Sequence, residues 1–357
     1  MRRKIASLLL FVPLIVLGSD FLVPCFAQQL PSRIINVQLI TDEAEAVLAI
    51  VSKNASHEAI DAKDWEQLFS SEGYVRLKKR ELSMKRPFED KDFEAFVLSD
   101  DLTKRGNALK ETLERWKKAD LSGAAKLALA YLPSGATIHA RIYPVIKPRD
   151  NSFVFEVKEN PAIFLYLDPQ VSREKFENTL AHEFHHIGYG TACPTSAAES
   201  EIAQLPDAAR TVVKLIGAFG EGFAMLAAAG GPDIHPHAVS GPDERARWDK
   251  DVANFNLDLK KVESFLLDLL NKHLTDEQIQ ETASSLFGIQ GPWYTVGWKM
   301  AWLIEKTYGR ATLVECICDQ RKLVTTYNRA ATLHNRGSKD QLALWSDELI
   351  SAIGARQ

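Results

Sequence analysis

The sequence predicts a mainly helical α+β fold: a small β-sheet packed on one histidine-bearing helix, between a helical N-terminal lobe and a helical C-terminal part. Three observations carry that expectation. Apolar residues recur at helical spacing over most of the chain. The period changes to alternation only around residues 136–168. Between Asn178 and Ile187 a helical pattern combines an apolar stripe with three histidines. With 357 residues, 46% of them hydrophobic and 25% charged, the chain has material for a large core and does not read as disordered. A net charge of −4 and a pI near 6.2 leave no basic footprint, so nucleic acid is not expected as a partner.

Arg2, Arg3 and Lys4 precede an apolar run from Leu8 to Leu17, and Phe21–Ala27 follows. Residues 1–27 therefore read as a signal peptide cut after Ala27, and the mature chain as exported, periplasmic or extracellular. The alternative is an uncleaved N-terminal segment that anchors the chain in a membrane, although Asp20 interrupts the apolar run. Export permits disulfides. Cys193, Cys316 and Cys318 would remain, an odd number that leaves at least one thiol unpaired and allows at most one bridge, to Cys193.

The lobe spans residues 28–135. Residues 33–40 read as a short strand or an extended lead-in, and Thr41 opens an amphipathic helix with Ala46, Val47, Ile50 and Val51 on one face. Further helical segments are expected near 61–84, 89–98, 101–118 and 121–132. The remaining chain, 136–357, forms the candidate catalytic region. Its sheet, 136–168, is expected to contain strands over 137–146, 153–157 and 162–167. Helices bearing the candidate site follow over 172–229, with Ser172 as N-cap of the first and Gly188 and Gly190 ending it. Residues 230–243 are rich in Gly, Pro, Asp and Ser and read as a mobile loop. A helical C-terminal part covers 249–353, with segments at 249–273, 275–286, 292–308, 310–323 and 338–353.

The chemistry concentrates on the first site helix. His182, Glu183 and His186 form an HExxH pattern, in which two histidines one turn and about 40° apart can share a metal ion. Phe176, Leu180, Phe184 and Ile187 line the other side. A catalytic Zn2+ takes three protein ligands and keeps one position for water. Glu221 is the candidate third ligand, because Gly217, Ala218, Gly220, Gly222 and Ala224 around it let two backbones approach closely, and a carboxylate in so apolar a stretch needs a partner. Glu199 and Glu201 are the substitutes, and His185 stands beside the pair rather than in it. Glu183 is the candidate general base.

Together with Glu221-Gly-Phe-Ala224, the His182–His186 pair resembles the gluzincin clan of zinc metallopeptidases, whose third ligand is a Glu on a downstream helix. With Ile187-Gly-Tyr189 and the segment Tyr294–Ala301, it is similar to a bacterial group of zinc-dependent peptidases of uncharacterised substrate. The resemblance covers roughly residues 160–330. It implies hydrolysis of peptide bonds in a peptide or protein substrate by a zinc-activated water, with Glu183 as base and then acid. It also implies a Tyr or His that donates to the oxyanion. Tyr294, just after Gly291 and Pro292 at a helix start, is the first candidate, and His235 or His237 the second. Two other readings stay open: a catalytically degenerate zinc-containing protein that binds peptide or serves structure, and a zinc hydrolase of non-peptide substrates.

Overall fold

The alternation of Ile35, Val37 and Leu39 with polar residues forms β1 (Ile35–Leu39), so the extended lead-in is a strand. The computed structural model describes residues 34–157, 159–193 and 197–355, so the leader and its cut after Ala27 lie outside the described residues. After Thr41 the chain turns into α1 (Asp42–Ala55), with three acids in its first turn to complement the helix dipole. Next come α2 (Ala62–Ser70), α3 (Glu72–Ser83), α4 (Asp90–Val97), α5 (Asp100–Trp116) and α6 (Leu121–Leu129). Asp61, Ser71, Ser99 and Asp120 each cap one of these helices through the side chain. Ser71 is the reason that residues 61–84 form two helices: its extended backbone ends α2 while its hydroxyl starts α3.

Three more strands follow, β2 (Ile138–Val145), β3 (Phe153–Phe155) and β4 (Ala162–Tyr166), and the sheet order is β1-β2-β4-β3. β1 runs parallel to β2 with Ile35 opposite Ile138, and β2 parallel to β4 with Arg141 opposite Ala162. β3 is antiparallel to β4 with Phe153 opposite Phe164. A parallel pair needs a long crossover, and α1–α6 provide the one between β1 and β2. The N-terminal helices and the later chain thus share one sheet, within a single compact unit that spans Arg33–Gln357.

Beyond the sheet lie α7 (Arg173–Ala192), α8 (Ala197–Ala203) and α9 (Asp207–Ile216), then a 3-10 turn at Gly217–Phe219 and α10 (Gly220–Ala229). α7 runs past Gly188 and Gly190. Gly188 is a contact residue rather than a terminator: a Cβ there would stand 2.5 Å from Leu132 Cδ1. The helix stops at Cys193, which is disulfide-bonded to Cys318, and Cys316 is left as the buried free thiol. The stretch Asp207–Ala229 is apolar enough by composition to cross a membrane, yet 61% of its most apolar window is buried within the protein.

The C-terminal part consists of α11 (Pro242–Ala253), α12 (Phe255–Leu270), α13 (Asp276–Ser285), α14 (Pro292–Tyr308), α15 (Arg310–Glu315), α16 (Gln320–Gly337) and α17 (Asp347–Ala352). Residues 338–346, expected as helix, are irregular because asparagine side chains satisfy their backbone. Asn335 bonds both the N–H and the C=O of Leu342, Asn328 does the same for Trp345, and Asn256 accepts from Ala343 N. The fold is mainly helical α+β, with 64% of the described residues in helix and 7% in strand, in agreement with the periodicities.

Candidate metal centre

The apolar stripe of α7 is its buried side. Phe176, Leu180 and Phe184 are fully covered, and Trp116 of α5 stacks on Phe176 at 4.2 Å. Ser172 caps the helix by accepting from Lys175 N, so its start is fixed as well. The opposite side, with His182, Glu183 and His186, is turned to α10. Asn178 ties the two helices together by donating to Ala228 O at 2.9 Å.

Glu221 stands in the first turn of α10, just after the 3-10 turn. The close approach that its small neighbours permit is mainly to α14. A Cβ on Gly222 would lie 1.9 Å from Trp298 N, and one on Gly297 would lie 2.5 Å from Phe219 O. These two glycines lock α10 against α14 backbone to backbone. Tyr294 lies about one turn before Gly297 and is thereby brought into the same site as Glu221.

Three donor atoms converge. His182 Nε2 and Glu221 Oε2 are 3.1 Å apart, His186 Nε2 and Glu221 Oε2 3.2 Å, and the two imidazole Nε2 atoms 3.1 Å. Two imidazole nitrogens facing each other over a carboxylate oxygen share at most one or two protons, so a cation suits the arrangement better than hydrogen bonds do. A tetrahedral ion with bonds of about 2.0–2.1 Å has donor–donor edges of roughly 3.4 Å, close to these separations. Among the described residues this is the group of His, Cys, Asp and Glu side chains close enough to hold a metal. Two nitrogens and one carboxylate oxygen form a donor set that zinc accepts.

The electrostatics agree with the geometry. Burial pushes the Glu221 carboxyl upward, but the imidazoles of His182 and His186 outweigh it and hold the group well below its usual range. For His186, burial works against the charged ring, and the Glu221 carboxylate raises its pKa nevertheless. Tyr294 stacks on His182 with centroids 6.2 Å apart and planes 14° from parallel. Burial, with the negative charge of Glu221 beside it, raises the Tyr294 pKa far above that of free tyrosine, so its hydroxyl keeps its proton. Glu183 is half-buried next to the pair, and its charge acts on both His186 and Tyr294.

Other candidates sit elsewhere. His185 is 2% exposed, and burial followed by the neighbouring His186 and His182 pushes its pKa down to about 3, leaving a neutral ring on the inner wall. Glu201 accepts from Arg321 at 3.0 Å, and Glu199 lies on the exposed side of α8. His235 pairs with Asp249 at 2.9 Å. His237 is buried against Trp248, with Nδ1 2.9 Å from Ser240 Oγ. Lys175 of α7 donates to Ser240 and Glu244, which ties the end of the 230–243 segment and the start of α11 to the site helix.

One part of the site was not read from sequence. A cavity of about 140 Å³ opens beside His186 and Glu221, and at its edge Gln320 donates to the Tyr189 hydroxyl at 2.6 Å. Tyr189 stands three residues after His186, on the same helix face, which was the available signal.

Fold and donor set together give a mainly helical α+β protein with one His-His-Glu cluster, among the described residues, that could hold a metal ion. The family model described as "Putative zinc dependent peptidase" (DUF5700) matches residues 52–336, well over half of the chain, and the chain belongs to that family. No curated protein and no solved structure matches it.

Proposed function

We propose that this chain is an exported zinc-dependent metallopeptidase of gluzincin type, acting on a peptide or protein. The observation that carries the reading is the convergence of His182, His186 and Glu221 from two helices, with Glu183 and Tyr294 beside them. His182, His186 and Glu221 would hold the metal. Bound zinc supplies a Lewis acid that brings a water pKa to around 7 and polarises a carbonyl. Glu183 takes the proton of the attacking water and hands it to the leaving amine. The Tyr294 hydroxyl, kept protonated by its surroundings, donates to the oxyanion of the tetrahedral intermediate. The basic and apolar leader over residues 1–27 supports export, as does the Cys193–Cys318 bridge, a crosslink typical of oxidising compartments.

Glu183→Gln tests this directly. Peptide hydrolysis is expected to fall by about 10²–10⁴-fold while zinc content stays at one per chain. Unchanged hydrolysis would exclude Glu183 as the base. A wild-type protein that holds zinc and cleaves esters or amides but no peptide would move the reading to a non-peptide hydrolase.

A further inference from the structure

The cavity beside the metal centre shares two walls with it, His186 and Glu221. Its remaining surface is largely apolar: Ile216, Phe223, Ile317 and Leu323 line it, each less than a tenth exposed. Among the described lining residues Glu221 is the only acid, and no Lys or Arg is present. Apart from Glu221, which the proposed metal would engage, ionic side chains find no counter-charge there.

Two glycines in the lining, Gly217 and Gly220, distinguish this cavity from a packing defect. Their backbones are ordinary helical ones, with φ of −56° and −53°. A Cβ on Gly220 would meet nothing within 4 Å, and one on Gly217 would meet only Gln320, at 3.9 Å or more. Neither the backbone nor a neighbour requires glycine at these positions, and alanine would favour the helix. Gly222, two residues further on, is the opposite case, pressed against Trp298. What Gly217 and Gly220 preserve is open volume next to the metal ligands. That volume, about 140 Å³, compares with the roughly 150 Å³ of an apolar cavity that stays dry and takes up benzene.

We propose that this cavity is the subsite that receives one apolar side chain of the substrate, of leucine or phenylalanine size, next to the bond cleaved at the metal centre. The proposal rests on the peptidase reading. The Tyr189–Gln320 pair forms the rim over which the peptide passes.

Gly220→Leu and Gly217→Leu, each made alone, start a side chain into the cavity from a Cβ that meets no backbone, and Gly190→Leu on the exposed end of α7 serves as control. A peptide library assayed with the wild type should show preference for Leu or Phe over Ala at one position, of about 10–200-fold. In the filled variants this preference, read as the ratio of kcat/KM for Leu or Phe over Ala peptides, should fall at least 10-fold while zinc content is unchanged. Benzene binding, followed by ligand-detected NMR on the same proteins, is the readout that needs no turnover, and it should be lost in the filled variants and kept in the control. An unaltered preference, or equal benzene binding in wild type and filled variants, overturns the subsite. A wild type that holds zinc, loses benzene on filling and yet cuts no peptide overturns the peptidase reading instead and leaves the cavity an apolar site.

Discussion

Two glutamates, Glu221 half-buried in the candidate metal site and Glu43 fully buried at the start of α1, have the same chemistry and opposite protonation. Glu43 is 1% exposed at the start of α1, and its Oε2 accepts from Ile146 N at 3.1 Å. Burial dominates there and pushes its pKa up to about 8, with the Ile146 hydrogen bond opposing. Glu221 is also penalised by burial, but two imidazoles overcome it and keep the carboxylate charged. One backbone N–H does not hold a charge in the interior, whereas two convergent ring nitrogens do. A charge kept where solvent is scarce is a device for binding a cation, and a carboxyl that stays neutral is a packing residue.

The sharpest way to break this comparison is to neutralise each glutamate in turn. Glu221→Gln should lower zinc affinity by at least about 10³-fold in competition with a chelator, because binding energies of roughly 10–16 kcal/mol are spread over a few ligands. Glu43→Gln should leave zinc affinity unchanged. Equal affinities in all three proteins would remove Glu221 from the ligand set. Gly222→Ala acts on the frame that holds Glu221: with a Cβ 1.9 Å from Trp298 N, α10 and α14 must separate. A loss of about 3 kcal/mol in denaturant unfolding is expected, with zinc affinity and turnover falling together. Tyr294→Phe comes next, with about 10²-fold lower kcat at little changed zinc affinity. A Tyr294→Phe enzyme with wild-type kcat would return the oxyanion role to another donor.

The difference between the two regions also marks what could be read in the sequence. Local periodicity was enough for α7. The stripe of Phe176, Leu180, Phe184 and Ile187 fixes which side packs, and the HExxH spacing then fixes which side can bind metal. The neighbourhood of Glu221 was legible as small residues, but not that Gly222 faces α14 while Gly217 and Gly220 face empty space. Those are properties of partners far away in the chain. The same holds for β1, whose partner β2 lies beyond six helices, and for Cys193, whose choice of Cys318 over Cys316 depends on where α15 ends. Asp207–Ala229 has one continuous helical period, yet it is broken by the 3-10 turn at Gly217–Phe219. The segment 338–346 follows a helical period but is held extended by Asn256, Asn328 and Asn335, a side-chain solution that no period reveals.

Glu43 gives the smallest effect and the most specific one, because its sign depends on pH. Its folded-state pKa of about 8 lies above the ordinary 4.5, so the folded chain holds a proton that the unfolded chain releases between those values. Below the lower value both states are neutral at this position and it contributes nothing to pH dependence. As pH rises from about 4.5 to about 8, ionisation favours the unfolded state increasingly, and above the folded pKa the loss levels off. Glutamine keeps an acceptor for Ile146 N and never ionises, so Glu43→Gln removes this loss. The variant should match the wild type in urea unfolding near pH 4 and exceed it by on the order of 2 kcal/mol near pH 8. A variant destabilised more near pH 8 than near pH 4 would mean that the Glu43 carboxylate is charged in the folded protein, and the contrast with Glu221 would vanish.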